Sequence, residues 1–153
     1  ETINLNDTVS EAVRDLDVPI REKNAMLIVG NLPSVQANKT RLRQLFSNLI
    51  SNSLKYSRRD LPPRIEVTSV VENDRVVITI RDNGIGFDDN FSEKIFGLFE
   101  RLHTRDQYPG TGIGLSICKR IVELHQGSIS ATSIPGEFAL FTVKLPLNQV
   151  QQA

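Results

Sequence analysis

The chain has 153 residues, 39% hydrophobic and 24% charged, a balance that supplies one core for one domain. Lys+Arg and Asp+Glu are 18 each, so net charge is zero; no nucleic-acid partner held by bulk charge is expected, and any phosphate recognition must be local. The single cysteine, Cys118, excludes a disulfide framework and argues against a cysteine metal site, and no apolar run approaches the roughly 18 residues that cross a bilayer.

Thr2 to Leu5 alternates as a short strand. Asn6 or Asp7 then offers a helix cap, and Val9, Val13 and Leu16 follow at helical spacing up to about Asn24. Residues 26–29 read as a short apolar strand and 31–35 as a turn. A long helix is predicted from about Lys39 to Tyr56, and Pro62-Pro63 ends the loop after it. Ile65 and Val67 on one arm, and Val76, Ile78 and Ile80 on the other, form a hairpin around Asn73-Asp74. A short helix is expected at about 93–102, an aperiodic polar loop at 103–110, and a helix at about 111–125 that Gly127 ends. Strands at 128–133 and 138–145 close the chain. Helices interleaved with an antiparallel hairpin predict an α+β fold, with a mixed sheet carrying helices on one face. The domain is expected to span 1–147, with 148–153 a frayed tail.

Four stretches have chemical potential. On the long helix Leu42, Leu45, Phe46, Leu49, Ile50 and Leu54 cover one face, and Asn48, Asn52, Lys55 and Tyr56 an adjoining stripe. Two amides one turn apart suit Mg²⁺, a hard ion that keeps waters and takes phosphate oxygens; Lys55 would neutralise phosphate and Tyr56 lie along a nucleotide. A solvated polar face is the ordinary alternative. Next, Asp82 shares strand parity with Ile78 and Ile80, so its carboxylate should point inward. A buried carboxylate needs a donor, such as the exocyclic amine of adenine. Gly84 and Gly86 would let the ring approach the backbone; the alternative is a tight Asn-Gly turn. Third, Gly110, Thr111, Gly112, Gly114 and Leu115 open a helix whose backbone N–H groups could face phosphate, or form a hinge; the spacing is neither a Rossmann fingerprint nor a P-loop. Fourth, Arg101 and Arg105 precede those glycines and could clamp a γ-phosphate or simply be solvated. His103 is expected in water and His125 at a helix C-terminus, where a partly charged imidazole is favourable; neither has metal-site spacing.

The order of these stretches resembles the catalytic domain of sensor histidine kinases. Asn48-Leu49-Ile50-Ser51-Asn52 with Lys55-Tyr56-Ser57 is similar to their N box, and Asp82 to Phe87 to their first glycine box. Ile95 to Leu102 is similar to the F box, and Gly110 to Leu115 to the second glycine box. Residues 101–110 resemble the phytochrome-type and PAS-linked subgroup. The resemblance implies a Bergerat fold, a two-layer sandwich of three helices on a mixed, mostly antiparallel sheet. It implies ATP and Mg²⁺, with Asn52 and Asn48 on the metal, Asp82 on the adenine amine, Lys55 and Tyr56 on phosphate and nucleotide, and Gly110, Gly112 and Gly114 along the phosphates. Residues from about Arg101 to Pro109 would form a lid, with Arg101 steadying the γ-phosphate. One departure is local: Phe138 stands where the family usually has the second glycine of a Gly-x-Gly.

The implied activity is transfer of the γ-phosphate to a histidine on a separate dimerisation domain of the same full-length protein, with a response regulator downstream. The start at Glu1 rather than Met reads as a fragment lacking that acceptor. A cytoplasmic location, a monomeric isolated domain and a parent of either soluble or membrane-tethered kind are expected. Related ATPases carry a Glu at position 48 to activate water; Asn48 is no useful base, so hydrolysis should be slow. A serine kinase of the same superfamily and a nucleotide-sensing pseudokinase are the competing classes.

Overall fold

A computed structural model describes residues 1–88, 94–97 and 114–149. In chain order the elements are β1 (Thr2–Asn4), α1 (Leu5–Asp15), α2 (Asp17–Glu22), β2 (Met26–Val29), β3 (Ser34–Gln36), α3 (Lys39–Lys55), β4 (Arg64–Glu72), β5 (Arg75–Asp82), a 3-10 turn (Lys94–Phe96), α4 (Gly114–Leu124), β6 (Ser128–Ile134) and β7 (Phe138–Pro146). Five strands form one sheet in the order β2-β4-β5-β7-β6. Only β2 and β4 pair in parallel; the other three pairings are antiparallel. This is the expected mixed, mostly antiparallel sheet under helices, and most predicted elements fall within a residue or two of their places.

Three local readings change. The helix cap is Asn4, whose side chain accepts from the N–H groups of Asn6 and Asp7; Asn6 instead donates to Gly30 O and accepts from Leu32 N, fastening α1 to the next loop. The predicted helix to Asn24 is two helices, broken at Leu16. A proline at position 19 has no N–H for the Asp15 carbonyl and its ring would crowd it, so it fits only the first turn of a new helix. The stretch 31–35 is not merely a turn: β3 pairs antiparallel with β1, setting Ile3 opposite Val35, both buried. The helix expected at 93–102 lies largely outside the described residues, as does the loop 103–110.

The Asn73-Asp74 turn carries φ of 50° and 62°, the paired positive values of a type I′ hairpin turn, whose twist matches its strands. It sets the β4–β5 register, which with β5–β7 pairing places Val76, Ile78, Ile80 and Asp82 on the face shared with Phe141, Val143 and Leu145. Helix α3 covers that face with Leu42, Leu45, Phe46, Leu49 and Ile50, all fully buried, and packs against both α1 and α4. Phe141 is at the centre of the layer, with its ring 6.2 Å from Phe96 edge-on and 6.5 Å from Phe87. Phe141→Ala should therefore cost about 3–5 kcal/mol, the usual range for a large side chain removed from a packed core; a stability loss from urea unfolding of less than about a third of that would show that the layer closes over the gap.

Gln149 donates its backbone N–H to Gln36 and its side-chain amide to His125 O; residues 150–153 of the expected tail lie outside the described residues. His125 is buried, with Nδ1 2.8 Å from Ile121 O and Nε2 accepting from Asn38 N at 3.1 Å. A carbonyl only accepts, so the Nδ1–H tautomer is required and Nε2 has no proton. The helix-end charge expected there is replaced by a neutral link between the end of α4 and the cap of α3. Cys118 is buried, and burial pushes its thiol up to about 12, which leaves it an inert packing residue.

Candidate functional site

Strand β5 carries the core pattern to its last residue, and there the pattern turns polar. Asp82 occupies the next inward position after Ile80 and is only 6% exposed. Its Oδ1 accepts from Gly84 N at 2.9 Å. Burial pushes the carboxyl above its ordinary value of 3.8; the Gly84 N–H, then the Ser53 hydroxyl and the Ala139 N–H, pull it partly back. The Ser53 Oγ is buried beside the carboxylate, in a contact that stops short of a well-formed bond.

One recess is lined by Asn52, Tyr56, Asp82, Gly86, Phe87, Ala139 and Phe141. It joins the end of α3 to the end of β5, with apolar walls and a few convergent polar groups, the usual make-up of a small-molecule site. Its free interior is about 10 Å³, room for about one water. Of the predicted residues, Asn52, Tyr56, Asp82 and Gly86 meet here. Asn48 is half-buried one turn away, outside the lining, and its Nδ2 is buried without a partner. Lys55 is exposed and lines a separate groove of about 770 Å³ beyond the helix, with Ser51, Leu54, Arg58 and Arg59. Gly114 opens α4 with open space at its missing Cβ, and Leu115 packs on the core; neither lines the recess. Arg101, Arg105, Gly110, Thr111 and Gly112 lie outside the described residues.

The glycines of the loop also meet other parts of the protein at close range. A Cβ on Gly84 would lie 2.5 Å from Tyr56 O and 2.9 Å from Asp82 Oδ1. One on Gly86, whose φ is +66°, would lie 2.6 Å from Ser133 Oγ, 2.7 Å from Ile134 O and 2.9 Å from Phe138 O. Both glycines admit other parts of the protein, the end of α3 and the β6–β7 turn, which press the loop into shape behind the carboxylate.

The sequence model named for histidine kinase-, DNA gyrase B- and HSP90-like ATPases matches residues 37–149. The chain belongs to that family. Among curated relatives, the phytochrome-like protein Cph1 of Synechocystis sp. (strain ATCC 27184 / PCC 6803 / Kazusa) is 43% identical over 94% of this chain. The chain spans only 19% of Cph1, and 41% of the adaptive-response sensory kinase SasA of Prochlorococcus marinus subsp. pastoris (strain CCMP1986 / NIES-2087 / MED4), which is 38% identical over 99% of this chain. Among solved structures, the catalytic domain of the histidine kinase ThkA superposes with a TM-score of 0.81, at 25% identity over 98% of both chains; ThkA has also been solved in complex with the response regulator protein TrrA. The fold is that of a histidine kinase catalytic domain.

The donor set of this kinase-type domain fits a magnesium ion that arrives with phosphates. Asn52, on the wall of the recess, and Asn48, one turn back on α3, carry amide oxygens, hard ligands that would suit such an ion while it keeps waters and phosphate oxygens in the rest of its shell. Among the described residues, no helix is long and apolar enough to cross a membrane. Sequence reasoning missed Ser53, Phe87, Ala139 and Phe141. Strand parity would have found Ala139 and Phe141; Ser53 lies on α3 between its apolar and polar stripes, where periodicity is silent.

Proposed function

We propose that this domain binds MgATP and donates the γ-phosphate to a histidine on a separate phospho-acceptor and dimerisation domain of its parent protein. The single observation that supports the reading best is the recess shared by Asp82 and Asn52, which pairs a buried acceptor with a hard amide ligand beside the apolar walls of Phe87, Ala139 and Phe141. Asp82 accepts the adenine amine proton, and Phe87, Ala139 and Phe141 wall the ring. Asn52, with Asn48, holds the magnesium ion, whose charge offsets that of the phosphates. Tyr56 lies along the nucleotide. Lys55, on the next exposed turn, swings from the groove to the phosphates, and Arg101 steadies the terminal one; the glycines from Gly110 to Gly114 border them. The chain contributes positioning and charge neutralisation, which carry most of phosphoryl transfer. Asn48 offers no base for water, so ATP is kept for transfer. A response regulator is the expected recipient downstream, as the ThkA–TrrA complex suggests by kinship.

The test is transfer of labelled phosphate from ATP to a separately supplied acceptor domain. Asn52→Ala should remove the magnesium-dependent part of nucleotide binding in isothermal titration and abolish transfer. Tight ATP binding with no transfer to any supplied acceptor would favour a nucleotide-sensing role instead, and magnesium-dependent binding unchanged in Asn52→Ala would refute its assignment.

A further inference from the structure

The loop that presents Asp82 leans on a brace that the nucleotide reading does not use. The peptide between Gly84 and Ile85 is held from both sides: its N–H donates to Tyr56 O at 2.9 Å, and its carbonyl accepts from Arg58 Nε at 3.4 Å. The other arm of the same guanidinium donates to Glu137 O at 3.0 Å. Arg58 thus joins three pieces: the exit of α3, the glycine loop and the β6–β7 turn. From inside, Ser133 Oγ accepts from Phe87 N at 2.8 Å and donates to Phe138 O at 2.6 Å, while Gly136 N donates to Ile85 O at 2.6 Å. Phe138, the residue found where a glycine is usual, contributes that carbonyl and turns its ring under Arg81, 4.3 Å from guanidinium to centroid. The adjoining Gly84 N–H is the group that orients Asp82 Oδ1.

We propose that Arg58 is a positioning residue for the adenine recess: it fixes the Gly84 peptide, and through it the Asp82 carboxylate, without touching the nucleotide. The proposal rests on the nucleotide reading above. A fork is what the task needs, because two carbonyls on different segments must be held at once by donors in fixed geometry; a lysine offers a compact point charge instead. Arg58 forms no ion pair among the described residues, so the rival explanation is that its charge reaches the phosphates directly.

Titration of ADP and adenosine against the parent domain, Arg58→Ala and Arg58→Lys separates the two. Arg58 is only half-buried, and the variants are expected to fold. Positioning predicts that Arg58→Ala weakens adenosine and ADP alike, by roughly three- to tenfold, the size of one partly exposed charge-assisted bond. It also predicts that Arg58→Lys does not restore either, and that the Gly84 and Ile85 amide resonances move before any ligand is added. A loss confined to ADP, rescue by lysine, or unchanged affinity for both ligands would overturn it. If the parent domain binds neither ligand, it is the nucleotide reading that has failed, and that is visible before any variant is made.

Discussion

Asp82→Asn is expected to weaken ADP binding about 100-fold, the loss that goes with a buried charged acceptor removed from its donor, while leaving the nucleotide-free domain more stable at neutral pH. The binding loss follows from the geometry. Gly84 N–H already holds Oδ1, so the asparagine oxygen stays there and its NH₂ turns into the recess, donor against the donor of the adenine amine. The stability gain follows from linkage. Burial raises the Asp82 carboxyl in the fold above its unfolded value near 3.8, so between those two values the folded state binds more protons than the unfolded one. The Asp82 contribution to stability is then greatest at low pH, is lost as pH rises through the folded value, and stays absent at neutral pH. Asparagine has no such term. Urea unfolding across the acid range should show that pH dependence in the parent and its loss in the variant. The same shift makes ADP affinity fall, as pH is lowered, at a higher pH than an ordinary carboxylate would give. Unchanged ADP affinity in the variant would remove Asp82 from the site; a variant less stable than the parent at neutral pH would show that its charge is better satisfied than its burial implies.

Gly86→Ala is expected to destabilise the fold by about 2–4 kcal/mol, the sum of left-handed strain and an overpacked contact. Two of the three atoms that the new methyl would meet within 3 Å are backbone carbonyls, Ile134 O and Phe138 O, which cannot rotate aside. Gly136 is the control: its φ is +78° but open space surrounds its missing Cβ, so Gly136→Ala should cost only the strain, about 1–2 kcal/mol. Denaturant midpoints for the pair isolate the contact of the glycine loop with the β6–β7 turn. Equal costs would mean that this contact yields freely and cannot brace the recess.

The family-defining parts of the molecule were legible because they are local. Helix α3 repeats its apolar positions every three or four residues, the β4–β5 hairpin alternates around a dipeptide suited to positive φ, and strand parity alone turned Asp82 inward. These patterns compare a residue with neighbours a few positions away, and that is the range over which helix and strand geometry correlate side chains. The break at Leu16 was also local, but the periodicity of Val9, Val13 and Leu16 outweighed the signal of Pro19.

What only the tertiary structure decided involves residues far apart in the chain. The β1–β3 pair joins segments about thirty positions apart; alternation marked Thr2 to Leu5 as extended but named no partner, and Ser34–Gln36 was too short to register as a strand. Tyr56 O lies against Gly84, and the β6–β7 turn against Gly86; no local pattern in the sequence names either neighbour. Arg58 reaches Gly84 and Glu137 across 26 and 79 positions, and Ser133 holds Phe87 across 46. Periodicity carries no information at such separations, because the partner is chosen by the path of the folded chain rather than by the spacing of residues along it. The amino-acid order therefore determined which groups could recognise a nucleotide, and the packing of the β6–β7 turn on the glycine loop determined how the Asp82 acceptor is aimed.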